Sequence, residues 1–164
     1  MNSNDYTYEI PFDLYGDSLK VQTMVPGIAS GKLVGGNLSL ICSTMGSVYE
    51  VKTMGSILFI EDVGEAPYRI DRYLSELKLA GKLDLVNGII IGRFSRRETE
   101  APDRSTDFQM HQVFQQYFSK MKVPVIFNFP SGHGSINVSL PLGCIVEINT
   151  DDEIFKVLES PIKN

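Results

Sequence analysis

The sequence predicts a single α/β domain: a mixed sheet with buried parallel strands in its middle and antiparallel strands toward the carboxyl end. Three observations support this. Two uninterrupted apolar runs, SILFIE (56–61) and GIIIGRF (88–94), suit strands buried on both faces and are short for helices. Between them Ile70, Leu74, Leu77 and Ala80 recur at helical spacing, so strand, helix and strand follow one another as in a β-α-β unit of neighbouring parallel strands. Past residue 136, short alternating stretches broken by turn residues read as antiparallel β.

The first seventeen residues are polar, dotted with aromatics and aperiodic, so 1–17 read as an irregular lead-in or linker and 18–160 as the domain proper. Residues 19–25 alternate like a strand until Pro26-Gly27 breaks it, and Gly31 to Val34 lead into Gly35-Gly36. Asn37 can cap a helix, LSLICSTM is apolar and compact, and Gly46 can stop it, which predicts one short helix. DVGEAP is turn chemistry, with Pro67 suited to a helix start and Gly81 to its end. The polar SRRETEAPDRSTD after Phe94 reads as an exposed loop. Phe114, Tyr117, Phe118 and Met121 then mark a helix over 108–121, followed by a third buried strand at 123–129. Thr150-Asp151-Asp152 fits a hairpin turn.

Composition narrows the function classes. With 164 residues, 43% of them hydrophobic, the chain can bury a sizeable core. A net charge of -5 with scattered Lys and Arg gives no reason to expect nucleic acid or an anionic membrane as partner. No apolar run approaches the ~20 residues of a membrane span and no leader pattern opens the chain, so the expected location is cytoplasmic. Cys42 and Cys144 stand far apart, outside any CxxC or Cys/His cluster, and read as buried hydrophobes. Two histidines and no paired acidic pattern argue against a metal site. GIASGKL is too short for a phosphate loop, and Leu33 stands where Ser or Thr is needed after Lys32. No cofactor is expected.

Ligands collect at the carboxyl ends of parallel strands. Glu61 and Asp62 end the first apolar run. Asp62 has a ready alternative as a charge at a helix start, whereas a carboxylate as close to an apolar strand as Glu61 needs a cation or imidazole partner. His133, in PSGHGS, follows the third strand between two glycines. It is either a loop histidine bonding its own turn or a general base oriented by Glu61. His111 falls on the polar side of its helix and reads as a surface residue. Ser131 and Ser135 are too close in sequence to His133 to face its ring as an activated nucleophile, and no GxSxG elbow is present. Arg69 and Arg72 could reach a substrate carboxylate, although a solvated helix face with Asp71 and Glu76 accounts for them.

Four segments in order, GKLVGGNLSLI, ILFIEDVGEAPYRIDRYLSELKLAGKLD, GIIIGRF and FPSGHGSINVSLPLG, resemble the serine peptidases called LD-carboxypeptidases or muramoyltetrapeptide carboxypeptidases, over nearly all of residues 32–159. The resemblance implies the C-terminal domain of a two-domain enzyme, a swivelling β/β/α-type unit, with Glu61 and His133 as the glutamate and histidine of a Ser-Glu-His triad. The serine would lie on an N-terminal domain that this chain lacks, leaving the chain alone inactive. The implied substrate is the murein tetrapeptide, which loses its terminal D-alanine, and the implied partners are the protein's own N-terminal domain and a second copy in a homodimer. Gly36, Asn37, Asp62 and Gly132 are the expected substrate-contacting positions, although an N-cap role also accounts for Asn37. A related branch, the microcin C immunity peptidases, shares the triad but cleaves acyl-sulfamate or aminoacyl-nucleotide analogues; EDVGEAPYRIDR looks more like the carboxypeptidase branch. The remaining alternative is a stand-alone module that binds peptidoglycan fragments or a protein without cleaving them.

Overall fold

The computed structural model describes residues 7–95 and 104–161. At its centre β3 (Ile28–Asn37), β4 (Ser56–Val63), β5 (Gly88–Ser95) and β6 (Val125–Phe127) lie side by side and parallel. The crossovers between them carry α1 (Leu38–Ser43), α2 (Pro67–Leu79) and α3 (Arg104–Phe118). Pro67 opens α2, where its missing N–H has no intrahelical partner to lose. Gly81 closes that helix at φ 69°, its N–H reaching Lys78 O while Lys82 N reaches Leu77 O. Ile70, Leu74 and Leu77 of α2, with Phe114 and Phe118 of α3, pack on Leu58, Ile60, Ile89 and Ile91.

Among the described residues no α-helix packs on the opposite face of the sheet, which is buried by curling. β7 (Ile145–Asn149) pairs antiparallel with β3 and turns through residues 150–153 into β8 (Ile154–Val157). The strand order is β1-β8-β7-β3-β4-β5-β6-β2, with β1 (Tyr8–Pro11) and β2 (Gln22–Val25) at the two ends. The chain links these ends directly, Val21 N donating to Phe12 O at 2.8 Å, and Gly27 N reaches Thr150 Oγ1 at 2.8 Å. The concave side gathers Phe12, Leu33, Ile57, Phe59, Ile90, Ile126 and Phe155 into a second core. Helices on one side and the rolled sheet on the other leave β4 and the apolar run of β5 no wet face. The runs SILFI and GIII are therefore unbroken rather than alternating.

The α/β class with a mixed sheet agrees with the sequence reading; several boundaries differ. Residues 8–11, expected within an irregular lead-in, form the edge strand β1, with Ile10 buried and Tyr8, Glu9 and Pro11 exposed. A four-residue strand with one buried side chain carries too little alternation to announce itself. The strand expected over 19–25 begins only at Gln22, after a 3-10 turn at Asp17–Leu19. α3 starts at Arg104 rather than 108, because RSTD offers no apolar residue to mark a helical stripe. Residues 96–103 of the expected loop lie outside the described residues. The third strand is shorter than 123–129: Pro124 cannot donate to a ladder, and Asn128 adopts φ 61°, turning the chain toward the histidine loop. Because Phe12 is 2% exposed at the seam where the sheet closes, Phe12→Ala is expected to destabilise the domain by about 3–5 kcal/mol, read from the urea unfolding midpoint.

Candidate active site

Consecutive strand residues face opposite sides. On β4, Ile57 and Phe59 belong to the concave core and Leu58 and Ile60 to the helix-side core. Glu61 continues the first set and Asp62 the second, so the two carboxylates meet different surroundings despite being neighbours. Asp62 turns to the start of α1. Its carboxylate accepts from Ser39 N at 2.9 Å, from Asn37 Nδ2 at 2.9 Å and from its neighbour Val63 N at 2.8 Å. Asn37 in turn caps the helix through Leu40 N. This charge serves a helix N-terminus.

Glu61 is 5% exposed and turns to the loop carrying His133. The register explains how the loop gets there. Ile60 pairs with Ile91 but Asp62 with Phe94, so the single residue Glu61 faces two on β5, Gly92 and Arg93. This bulge sits beside the site, as bulges often do. Past β6 the chain keeps following β5: Phe129 N donates to Ile91 O and Arg93 N to Ser131 O, and Arg93 bridges in parallel to Gly132. A side chain on Gly92 would meet Ser131 O at 2.5 Å, and one on Gly132, at φ 124°, would meet Glu61 Oε2 at 2.9 Å. Gly92 leaves room for the returning backbone at Ser131, and Gly132 lets that backbone lie against the carboxylate.

His133 Nδ1 lies 2.6 Å from Glu61 Oε2. An ionised carboxylate only accepts, so Nδ1 carries the proton, and in neutral imidazole Nε2 then holds the lone pair. The ring is half exposed, the Glu61 side chain only 7%. A sequestered carboxylate holding an accessible imidazole in one tautomer is the geometry of a general base with its orienter. Asn137 braces the loop, its Oδ1 accepting from Gly132 N at 3.2 Å. Ser131 is 6% exposed, with its hydroxyl 2.9 Å from Val138 O, so it belongs to the loop's scaffold.

Of the positions singled out in the sequence, the structure thus brings together Glu61, His133 and Gly132. Asn37 and Asp62 form a separate group at α1, and Gly36 has open space where a side chain would be. Arg69 stays on the exposed helix face with Glu65 and Tyr68, and Arg72 lies over the Tyr73 ring. His111 is a correction: it is half-buried, its ring centroid 5.3 Å from that of Phe127. It lines a cavity of about 390 Å³ between α3, the end of β5 and the histidine loop, together with Arg93, Phe114, Asn128, Gly134 and Ser135. Arg93 was missed, although it directly follows the buried run GIIIG at a strand's carboxyl end. Among the described residues, no group of three or more His, Cys, Asp or Glu could hold a metal ion. No described helix is long and apolar enough to cross a membrane.

The sequence profile of the LD-carboxypeptidase C-terminal domain matches residues 30–148. The chain belongs to the LD-carboxypeptidase family. A probable murein peptide carboxypeptidase of Bacillus subtilis is 40% identical over 130 residues, 79% of this chain and 40% of that protein. The matched part of the chain therefore spans 40% of this relative's length. Among solved structures, the muramoyltetrapeptide carboxypeptidase of Oxalobacter formigenes superposes with a TM-score of 0.76 at 23% identity, covering 95% of this chain and 51% of its own, which supports the fold. MccF in complex with glutamyl sulfamoyl guanosine superposes with a TM-score of 0.70 at 25% identity, over 87% of this chain and 42% of that one.

Two expectations follow from this geometry. Gly132→Ala should push the loop off Glu61 and cost about 1–3 kcal/mol of backbone strain, seen as a lowered melting temperature and loss of the downfield Nδ1–H proton resonance of His133. Burial pushes the Cys42 thiol up from 9.0 to about 12, with Glu76 and Asp62 adding to the effect. The fold therefore favours the neutral thiol. That contribution is whole below pH 9.0, where the unfolded thiol is also protonated, and is lost as pH rises toward about 12. Across that window the urea midpoint of the parent chain should fall more steeply than that of Cys42→Ala; equal slopes would refute the assignment.

Proposed function

We propose that Glu61 and His133 are the orienter and general base of a serine peptidase that removes the terminal D-alanine from murein tetrapeptides. The observation that carries the reading is the 2.6 Å contact between a buried carboxylate and a half-exposed imidazole. In this mechanism His133 Nε2 takes the proton of a serine hydroxyl as its oxygen attacks the carbonyl carbon of the last peptide bond. The imidazolium, held by Glu61, then protonates the leaving amine of D-alanine, and water repeats the cycle on the acyl-enzyme. Ser131 is committed to its loop, so the serine and the oxyanion donors are assigned to a separate N-terminal domain of the whole protein. Without that domain the chain would be inactive. The length of the Bacillus relative beyond the matched region leaves room for such a domain. The family resemblance implies a homodimer in the cytoplasm as its setting.

The 40% identity to a probable murein peptide carboxypeptidase, against 29% to the microcin C7 self-immunity protein MccF of Escherichia coli, favours murein over the immunity branch. In the whole protein, His133→Ala should lower kcat/KM for D-alanine release from murein tetrapeptide by at least about 10⁴-fold, and Glu61→Gln by about 10²–10⁴-fold. Preferential hydrolysis of an aminoacyl sulfamate would select the immunity branch. Binding of muropeptide with no release of D-alanine would select the stand-alone module.

A further inference from the structure

The cavity beside the histidine loop contains a charge that the proposed triad does not use. Arg93 Nε and Nη2 are buried and have no hydrogen-bond partner among the described residues. Buried donors left unpaired are costly, more so on a cation, and where they line a cavity a bound group can complete them. These two nitrogens form the side-on edge of the guanidinium, whose parallel N–H bonds match the two oxygens of a carboxylate. His111 is the second group on the cavity wall that can carry positive charge. No Asp or Glu is among the described residues lining it; Met110, Phe114 and Phe127 supply apolar wall, and Asn128 and Ser135 neutral polar groups. An anionic group on a small organic ligand fits this combination.

Its position relative to the base narrows the ligand. Arg93 bridges to Gly132, and its Cδ is 3.1 Å from where a side chain on Gly134 would begin. The arginine therefore runs beneath both residues that flank His133. In a peptide, the scissile carbonyl and the terminal carboxylate are separated by one residue, about 3.3–3.6 Å of extended chain. We propose that Arg93 is the residue that recognises the C-terminal carboxylate of the peptide, seating the leaving amino acid in this cavity. The proposal rests on the peptidase reading above, and it makes Arg93 a determinant of carboxypeptidase over endopeptidase specificity.

The test titrates this chain with the dipeptide L-lysyl-D-alanine, with its C-terminal amide and with inorganic phosphate, following the side-chain Nε–H resonance of Arg93. The acid should shift that resonance saturably, and the amide should not. Arg93→Lys should weaken acid binding at least tenfold and Arg93→Met should abolish it, while the melting temperature of Arg93→Met stays equal or rises because two buried, unpartnered N–H donors are gone. Equal responses to acid and amide, an unmoved Arg93 signal, or a phosphate response as strong as the dipeptide's would each overturn the proposal. A fall in the melting temperature of Arg93→Met would instead identify a structural arginine and overturn it too. His133→Ala should bind the acid as the parent does. Retained, Arg93-dependent binding alongside whole-protein catalysis that ignores His133 would sink the triad reading while leaving this one standing.

Discussion

Much of this domain's architecture answers one constraint, the burial of the Glu61 carboxylate at the end of an apolar strand. A charge that is 5% exposed must be compensated at close range, and the compensation comes from an imidazole seventy-two residues away in the chain. To deliver it, β5 carries an extra residue opposite Glu61, Gly92 clears space for the returning backbone, and Gly132 lets that backbone lie against the carboxylate. Asn137 then ties down the loop. None of these devices improves the core. Each makes sense as support for one short contact.

The neighbouring acid shows how the same strand serves fold and site at once. The period of two sends Asp62 to the helix side, where three N–H donors meet it and fix the start of α1 against β4. Glu61 therefore sits on a strand end whose orientation is pinned from behind. A one-residue slip of β4 would exchange the two carboxylates, placing Asp62, shorter by one methylene, beneath His133 and Glu61 against the helix. The paired register of β4 with β3 on one side and β5 on the other opposes that slip.

The parts of this arrangement that were readable in the sequence are those with a local signal. SILFIE and GIIIGRF announced buried strands, Ile70, Leu74 and Leu77 announced the helix between them, and the strand-end rule pointed to Glu61 and His133. The parts that depend on curling were not readable. β1 matters because it meets β8 and closes the rolled sheet, a fact no four-residue window contains. The opposite facings of Glu61 and Asp62 needed the register, and the placing of Arg93 against the loop 131–135 needed that loop to fold back over β5. His111 looked like a surface residue because its own helix offers it a polar side; the neighbour that half-buries it, Phe127, lies on β6.

The division of exposure within the Glu61–His133 pair bears on how such a site can work. A carboxylate is most useful as an orienter when water cannot compete for its hydrogen bond, and Glu61 meets that condition within this domain. A base must meet its proton donor, and half of the His133 side chain is open. In the proposed mechanism the second surface arrives with the serine and, by covering the ring, also lowers the local dielectric in which the imidazolium forms. On that proposal the sheet domain would hold the part of the machinery that must be rigid before substrate binds, and the reacting face would be left for the serine-bearing surface to complete.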